Sequence, residues 1–201
     1  MSQKFQLILA SSSPRRLELL KSLAITPDQI ISPSINEEPL RHEKPDSLAV
    51  RLAKAKAIKV AIAIKGSAFI LAADTIVGTK ARVFEKADNN ETVKKYLQFF
   101  SGRKIYIKTA IAVVKLENGK ITKTAAKLVT STVKFKRISP NELEYYLKTG
   151  KGIGVAGGFS IQGFGEALVQ ELSGSYSGII GLPLRETIQL LEGLGCGLIK
   201  S

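Results

Sequence analysis

Along this chain the spacing of apolar residues switches between a strand period and a helix period, and the switches mark its elements. Residues 5–10 form a short apolar run that predicts a buried strand. Helical spacing follows over 14–23, with Ser13 placed as N-cap and Pro14 as the first helical residue. Residues 27–47 are rich in proline and charge, which predicts extended chain and loop. Alanine and leucine recur at helical intervals over 47–65, so a long helix is expected there. The continuous apolar run 68–77 holds one aspartate, Asp74, and reads as a central strand that can continue past it. A further helix is predicted over 89–100. Two long alternating segments, 104–116 and 120–138, flank Asn118-Gly119, the strongest short hairpin signal in the chain. Residues 139–150 predict a helix capped by Ser139, with Pro140 at its start and Gly150 past its end. A glycine-rich stretch, 150–165, and a loop, 174–183, lead to a last helix over about 182–193. This order predicts an α/β fold with a mixed twisted sheet and flanking helices.

Composition narrows the picture. The 201 residues suit one good-sized domain or two small lobes around a shared cleft, and 44% hydrophobic content suits a packed globular protein. The only cysteine, Cys196, has no partner for an internal disulfide. The first apolar run is too short for a signal sequence and arginines follow it at once, so a cytoplasmic, reducing location is expected. No apolar stretch reaches the length of a membrane span. The net charge of +13 fits either an anionic partner or a lysine-rich solvated surface. The lysines are spread from Lys44 to Lys151 rather than interleaved with the five tyrosines and eight phenylalanines. That favours the solvated surface over a nucleic-acid platform.

Candidate chemistry begins at Ser11-Ser12-Ser13-Pro14-Arg15-Arg16. A strand running straight into a helix leaves the first helical amides unpaired, and they attract anions. Arg15 and Arg16 oppose the helix dipole there, at a cost of a few tenths to about 1 kcal/mol each. A bound phosphate chain turns that penalty into attraction, with the serines as extra donors; otherwise the arginines cap a surface helix and point into water. Asp74, in a buried strand, must find a partner, a metal or water, or cap the next turn. Glu37 and Glu38 could complete a metal or water site, although adjacent acids in a loop are usually solvated. Lys56 and Lys86 could contact phosphate, with plain surface positions as the default for so lysine-rich a chain. His42, the only histidine, sits in a charged loop and reads as incidental. Cys196 has no nearby histidine to make it a nucleophile. In "AGGFSIQGFG", glycines let the backbone approach a flat ligand, and Gln162 offers a donor and an acceptor to a base edge. Walker and dinucleotide-binding glycine fingerprints are both lacking.

Taken together, "LILASSSPRRLELL", "VRLAKAKA", "AADTIV", "EKA", "SGR", "AGGFSIQG" and "GSYSGIIGLPL" resemble the Maf family of nucleotide pyrophosphatases along nearly the whole chain. The resemblance implies one domain over 1–201, an elongated two-lobed α/β molecule with an active-site cleft. It implies metal-dependent hydrolysis of nucleoside triphosphates to monophosphate and pyrophosphate, with Mg²⁺ or Mn²⁺ as cofactor. Residue by residue, it implies that Asp74 is catalytic and a metal ligand with Glu37. Ser11, Arg15, Arg16, Lys56, Thr75, Lys86 and Gln162 are the implied substrate contacts, with Arg15, Thr75 and Gln162 at positions linked to substrate choice. The pairing of Ser-Pro-Arg-Arg with Ile-Gln-Gly resembles the subgroup acting on dTTP and UTP.

Several positions depart from the family pattern. Ile105 stands where histidine is common, Asn36 where an acid is usual and Ala87 where proline is expected. Lys151 replaces an acid, Val155 a lysine and Phe159 a tyrosine. The paired changes at 151 and 155 suggest a lost ion pair. They leave open a binding module that holds nucleotide or nucleic acid without hydrolysis, in cell-division control, and more distantly a purine-directed inosine-triphosphate pyrophosphatase. The expected partner is a nucleoside triphosphate; nucleic acid is disfavoured, no membrane partner is expected, and a homodimer is left open.

Overall fold

The computed structural model describes residues 5–79 and 81–198. Seven strands form one open mixed sheet, β1 (Gln6–Leu9), β2 (Gln29–Ile30), β3 (Ala68–Gly78), β4 (Val83–Phe84), β5 (Lys104–Glu117), β6 (Lys120–Phe135) and β7 (Val169–Ser173). Their order is β2-β1-β3-β5-β6-β7, with β4 on β3. β1 pairs in parallel with β2 and β3, while the β3–β4 and β6–β7 pairs are antiparallel. The helices are α1 (Pro14–Lys21), α2 (Pro45–Ala61), α3 (Asn90–Phe100), α4 (Pro140–Lys148), α5 (Tyr176–Ile180) and α6 (Leu184–Gly193). The mixed α/β class is thus as expected.

The chain divides into two compact units. One takes the residues up to Asp74, Thr109–Leu128 and everything from Gly181 on; the other takes Thr75–Lys108 and Val129–Ile180. In the first, Leu7, Leu9, Phe69, Leu71, Ala73, Ile111 and Val113 pack with Leu20, Leu182 and Leu191. The alternate residues Ile8, Ile70, Ala72, Ala110 and Ala112 are fully buried too. Burial on both faces explains why these strands read as continuous apolar runs rather than as alternation. In the second unit the core is aromatic. Phe84 meets Phe100 edge-on, Phe100 meets Phe135, and Phe135 meets Phe159.

Local signals account for most element ends. Asn118 and Gly119 both adopt positive φ, 51° and 75°, which a two-residue hairpin turn requires. Ser139 and Glu142 form a reciprocal capping box at the start of α4. Other boundaries differ from expectation. α1 ends at Lys21, and the Ser13 side chain makes no cap bond. Instead Ser11 Oγ accepts from the Ser13 amide at 3.2 Å. α2 starts at Pro45, two residues early, and ends at Ala61. β2, β4 and β7 were not anticipated, and the loop 174–183 contains the five-residue α5. No helix among the described residues is long and apolar enough to cross a membrane.

Candidate active site

The site grows from the carboxyl end of β1 and from the middle of its parallel neighbour β3. Leu9 of β1 pairs with Leu71 of β3, and the Ala10 amide donates to the Leu71 carbonyl at 2.8 Å. Ser11 comes two residues after Leu9, past the end of β1, and Asp74 three residues after Leu71, on a β3 that continues to Gly78. Asp74 therefore lies on β3 just past the stretch that pairs with β1, near the β1–α1 turn; the carboxyl end of a parallel strand such as β1 is where functional groups of open α/β sheets gather.

α2 supplies the partner for Asp74. Leu52, Ala53, Lys56, Ala57 and Val60 recur at helical spacing and all are buried. A lysine in the middle of such a stripe must be neutralised. Lys56 Nζ lies 2.6 Å from Asp74 Oδ1 and 2.8 Å from Glu37 Oε1. Lys56 and Asp74 are 8% and 6% exposed, whereas Glu37 is an exposed loop residue. One ammonium thus joins a buried and an exposed carboxylate. Lys56 is not the surface lysine that its composition made the default.

The arginines show how the turn tolerates their charge. Arg16 Nε donates to the Gly181 carbonyl at 2.9 Å, and Nη1 donates to Ser11 Oγ at 3.1 Å. Ser11 is itself buried. Loss of solvation lowers the Arg16 pKa; Asp74 raises it, Arg15 lowers it further and Glu37 raises it. Asp74 and Glu37 are therefore electrostatic partners of the helix start as well as of Lys56. Arg15 is half-buried beside them.

Ser11, Arg15, Arg16, Glu37, Lys56 and Asp74 all lie in the first unit. Thr75, Lys86 and Gln162 lie in the second. Thr75 is half-buried and follows Asp74 on β3, so its side chain takes the opposite face. Lys86 is exposed and bridges in antiparallel fashion to Ala156 of the glycine-rich stretch. Gln162, half-buried, precedes a 3-10 helix over Gly163–Leu168 and makes no side-chain cap bond to it.

The departures have visible local settings. Ile105 and Phe159 are buried in the aromatic core of the second unit. The Val155 carbonyl accepts from the Ala87 amide at 3.1 Å. Lys151 is exposed, with Nζ close against Gly163. Asn36 Oδ1 accepts from the Glu38 amide at 2.8 Å, a tight turn directly across Glu37. Burial and Glu192 push the Cys196 thiol up to about 11, the reverse of what a nucleophile needs.

Sequence reasoning missed one ion pair next to the site. Arg51 of α2 grips Glu43 with two bonds, Nε to Oε1 at 2.7 Å and Nη2 to Oε2 at 2.8 Å. A spacing of eight residues across a proline-rich loop carries no pairing rule. For Lys56, by contrast, the apolar stripe was a usable signal.

A divalent cation here would meet two carboxylates, Asp74 and Glu37, each of which also holds the Lys56 ammonium. Among the described residues, no group of three or more His, Cys, Asp or Glu is placed to hold one. That donor set fits a hard cation held by one or two carboxylates together with substrate phosphates, as Mg²⁺ prefers, and not an all-protein cage.

A family model described as Maf-like protein matches residues 6–194. A nucleoside triphosphate pyrophosphatase of Rickettsia africae (strain ESF-5) is 45% identical over 94% of this chain and 87% of its own length. One from Rickettsia felis is 46% identical over 94% of this chain and 93% of its own. Among solved structures, a HAM1 protein from Coxiella burnetii is similar in fold, with a TM-score of 0.51 at 16% identity. That match covers 94% of this chain and 100% of the other.

Proposed function

The chain belongs to the Maf-like protein family, and from that premise we propose that it is a nucleoside triphosphate pyrophosphatase acting on dTTP, UTP and modified pyrimidine nucleotides. The observation that carries the reading is Asp74, a buried carboxylate held by Lys56 at 2.6 Å beside the arginine-bearing start of α1. A carboxylate paired with an ammonium and facing the Arg16 guanidinium supports the reading, because cleavage of a polyphosphate needs a proton acceptor among cations.

In this reading a water oxygen bonds to the α-phosphorus. The bond from the α-phosphorus to the bridging oxygen breaks, and pyrophosphate leaves with the electron pair. Asp74 takes the proton from the water, and Lys56 orients Asp74 through Oδ1. Arg15 and Arg16 offset the charge that builds on the phosphoryl oxygens. Asp74 and Glu37 would hold Mg²⁺ or Mn²⁺, which when bound supplies Lewis-acid polarisation and screens the polyphosphate. Thr75, Lys86 and Gln162 enter the proposal as substrate contacts through the family resemblance.

The test is pyrophosphate release from dTTP, UTP, CTP, GTP, ITP and 7-methyl-GTP, with and without Mg²⁺ or Mn²⁺, beside Asp74→Asn. Release that favours dTTP and UTP, needs the cation and vanishes in the variant supports the whole reading. Preference for a purine overturns the subgroup. Nucleotide binding with no release from any substrate replaces the enzyme by a binding module.

A further inference from the structure

Glu37 is exposed, in a loop with little regular structure, yet its carboxylate meets the buried Lys56. Something must hold the loop in place, because fixing each residue of an unrestrained chain costs conformational entropy. The restraint lies on α2, five residues before Lys56. Arg51 holds the Glu43 carboxylate with both arms of its fork, and its Nη2 also donates to the Glu38 carbonyl at 2.9 Å. Glu43 Oε2 in turn accepts from the Leu40 amide at 3.0 Å. His42, beside it, takes a left-handed φ of 59°. The loop is therefore tied at Glu38 and Glu43 to one guanidinium and at Leu40 to Glu43, and the turn closed by Asn36 fixes the other side of Glu37.

We propose that Arg51 is a positioning residue for the reaction: with Glu43 it clamps the 38–43 loop to α2, so that Glu37 is presented to Lys56 and Asp74. This deepens the reading of the Glu37–Lys56–Asp74 group given above and rests on it. The planar fork is the reason for arginine. It spans both oxygens of Glu43 and still reaches the Glu38 carbonyl, which a lysine ammonium on one flexible stem does not reproduce. In this proposal Arg51 makes no contact with the substrate. It acts through the position of Glu37, and misplacing a catalytic group by about 1 Å costs on the order of 100-fold in rate.

A double-mutant cycle separates this role from general stabilisation and from direct phosphate binding. The variants are Arg51→Met, Arg51→Lys, Glu43→Gln, Glu37→Gln and the double Arg51→Met/Glu37→Gln. Each is assayed for kcat and KM with dTTP, and its melting temperature is recorded. We expect Glu37→Gln and Arg51→Met each to lower kcat by about 10- to 100-fold with KM little changed, and Arg51→Lys to recover only part of the loss. The double variant is no slower than Glu37→Gln alone, because the clamp has nothing left to position. Additive losses in the double variant, or a loss in Arg51→Met carried by KM, would overturn the proposal and make Arg51 an independent substrate contact. If Arg51→Met melts well below working temperature, Glu43→Gln, which keeps the size of the partner, decides by the same cycle. An inert Glu37→Gln would instead remove Glu37 from the site reading, a different failure from that of the clamp.

Discussion

Removing one charge from the Lys56–Asp74 pair should destabilise the chain by unequal amounts, depending on which charge is removed. At 2.6 Å and an effective dielectric of about 20, their attraction is worth roughly 6 kcal/mol before desolvation. Asp74→Asn keeps an oxygen at the same point, so Lys56 loses the charge but keeps a hydrogen bond and retains Glu37 at 2.8 Å. The loss is about 1–2 kcal/mol, the difference between a charge-assisted and a neutral hydrogen bond. Lys56→Met leaves Asp74 buried without its ammonium, and exposed Glu37 cannot compensate. That costs about 3–5 kcal/mol. Activity should not track stability, since both variants lose turnover but only Lys56→Met loses a large part of its stability with it. The assay is urea unfolding followed by fluorescence, alongside pyrophosphate release. A destabilisation of Asp74→Asn as large as that of Lys56→Met would refute the charge argument. Undiminished turnover in Asp74→Asn would remove Asp74 from the chemistry.

Three other outcomes follow from features elsewhere in the fold and from the Arg51–Glu43 pair. A Cβ on Gly165 would lie 1.8 Å from the Ser160 carbonyl oxygen, so Gly165→Ala should cost about 3 kcal/mol; Gly193→Ala, with open space around it, should gain a few tenths to about 1 kcal/mol, and thermal melts of both decide. Lys136 and Ser139 hold Glu142, and Arg51 holds Glu43, each at about 2 in the folded chain. Because folding depresses both, their contribution is present above the ordinary carboxylate range and is lost as pH falls from about 4.5 towards 2; urea midpoints over that window should drop, less steeply in Glu142→Gln. Cys196 is held protonated up to about 11, so its contribution is full below about pH 9 and fades between 9 and 11. A disulfide reagent at pH 9 should label the unfolded chain faster than the folded one.

Elements with local chemical markers were legible in the sequence. Asn118-Gly119 and Ser139 each bound an element where their chemistry demands it, while the Glu142 half of the capping box and the Asn89 cap on the Thr92 amide came only with the structure. Strands of two residues have no periodicity to read, which is why β2 and β4 escaped. β7 escaped because Val169–Ser173 is largely exposed and only weakly alternating. At the site, the arginine-bearing turn and Asp74 were visible as local anomalies, a charge at the wrong pole of a dipole and a carboxylate in an apolar run. The Arg16 bonds to Gly181 and Ser11 and the Arg51 clamp were not, because both join residues whose proximity only the tertiary fold creates.

The parallel register of β1 on β3 also has a kinetic side. The β5–β6 hairpin pairs neighbours in the chain around a two-residue turn, and such hairpins zip in about 1–10 μs. Pairing Gln6 with Ala68 instead requires a loop of more than sixty residues to close, α2 included, which places it late on the folding route. Ser11 and Asp74 acquire their relation only through that closure. During synthesis and refolding the chain thus holds most of its secondary structure before it holds a site, and activity should be the last signal to recover.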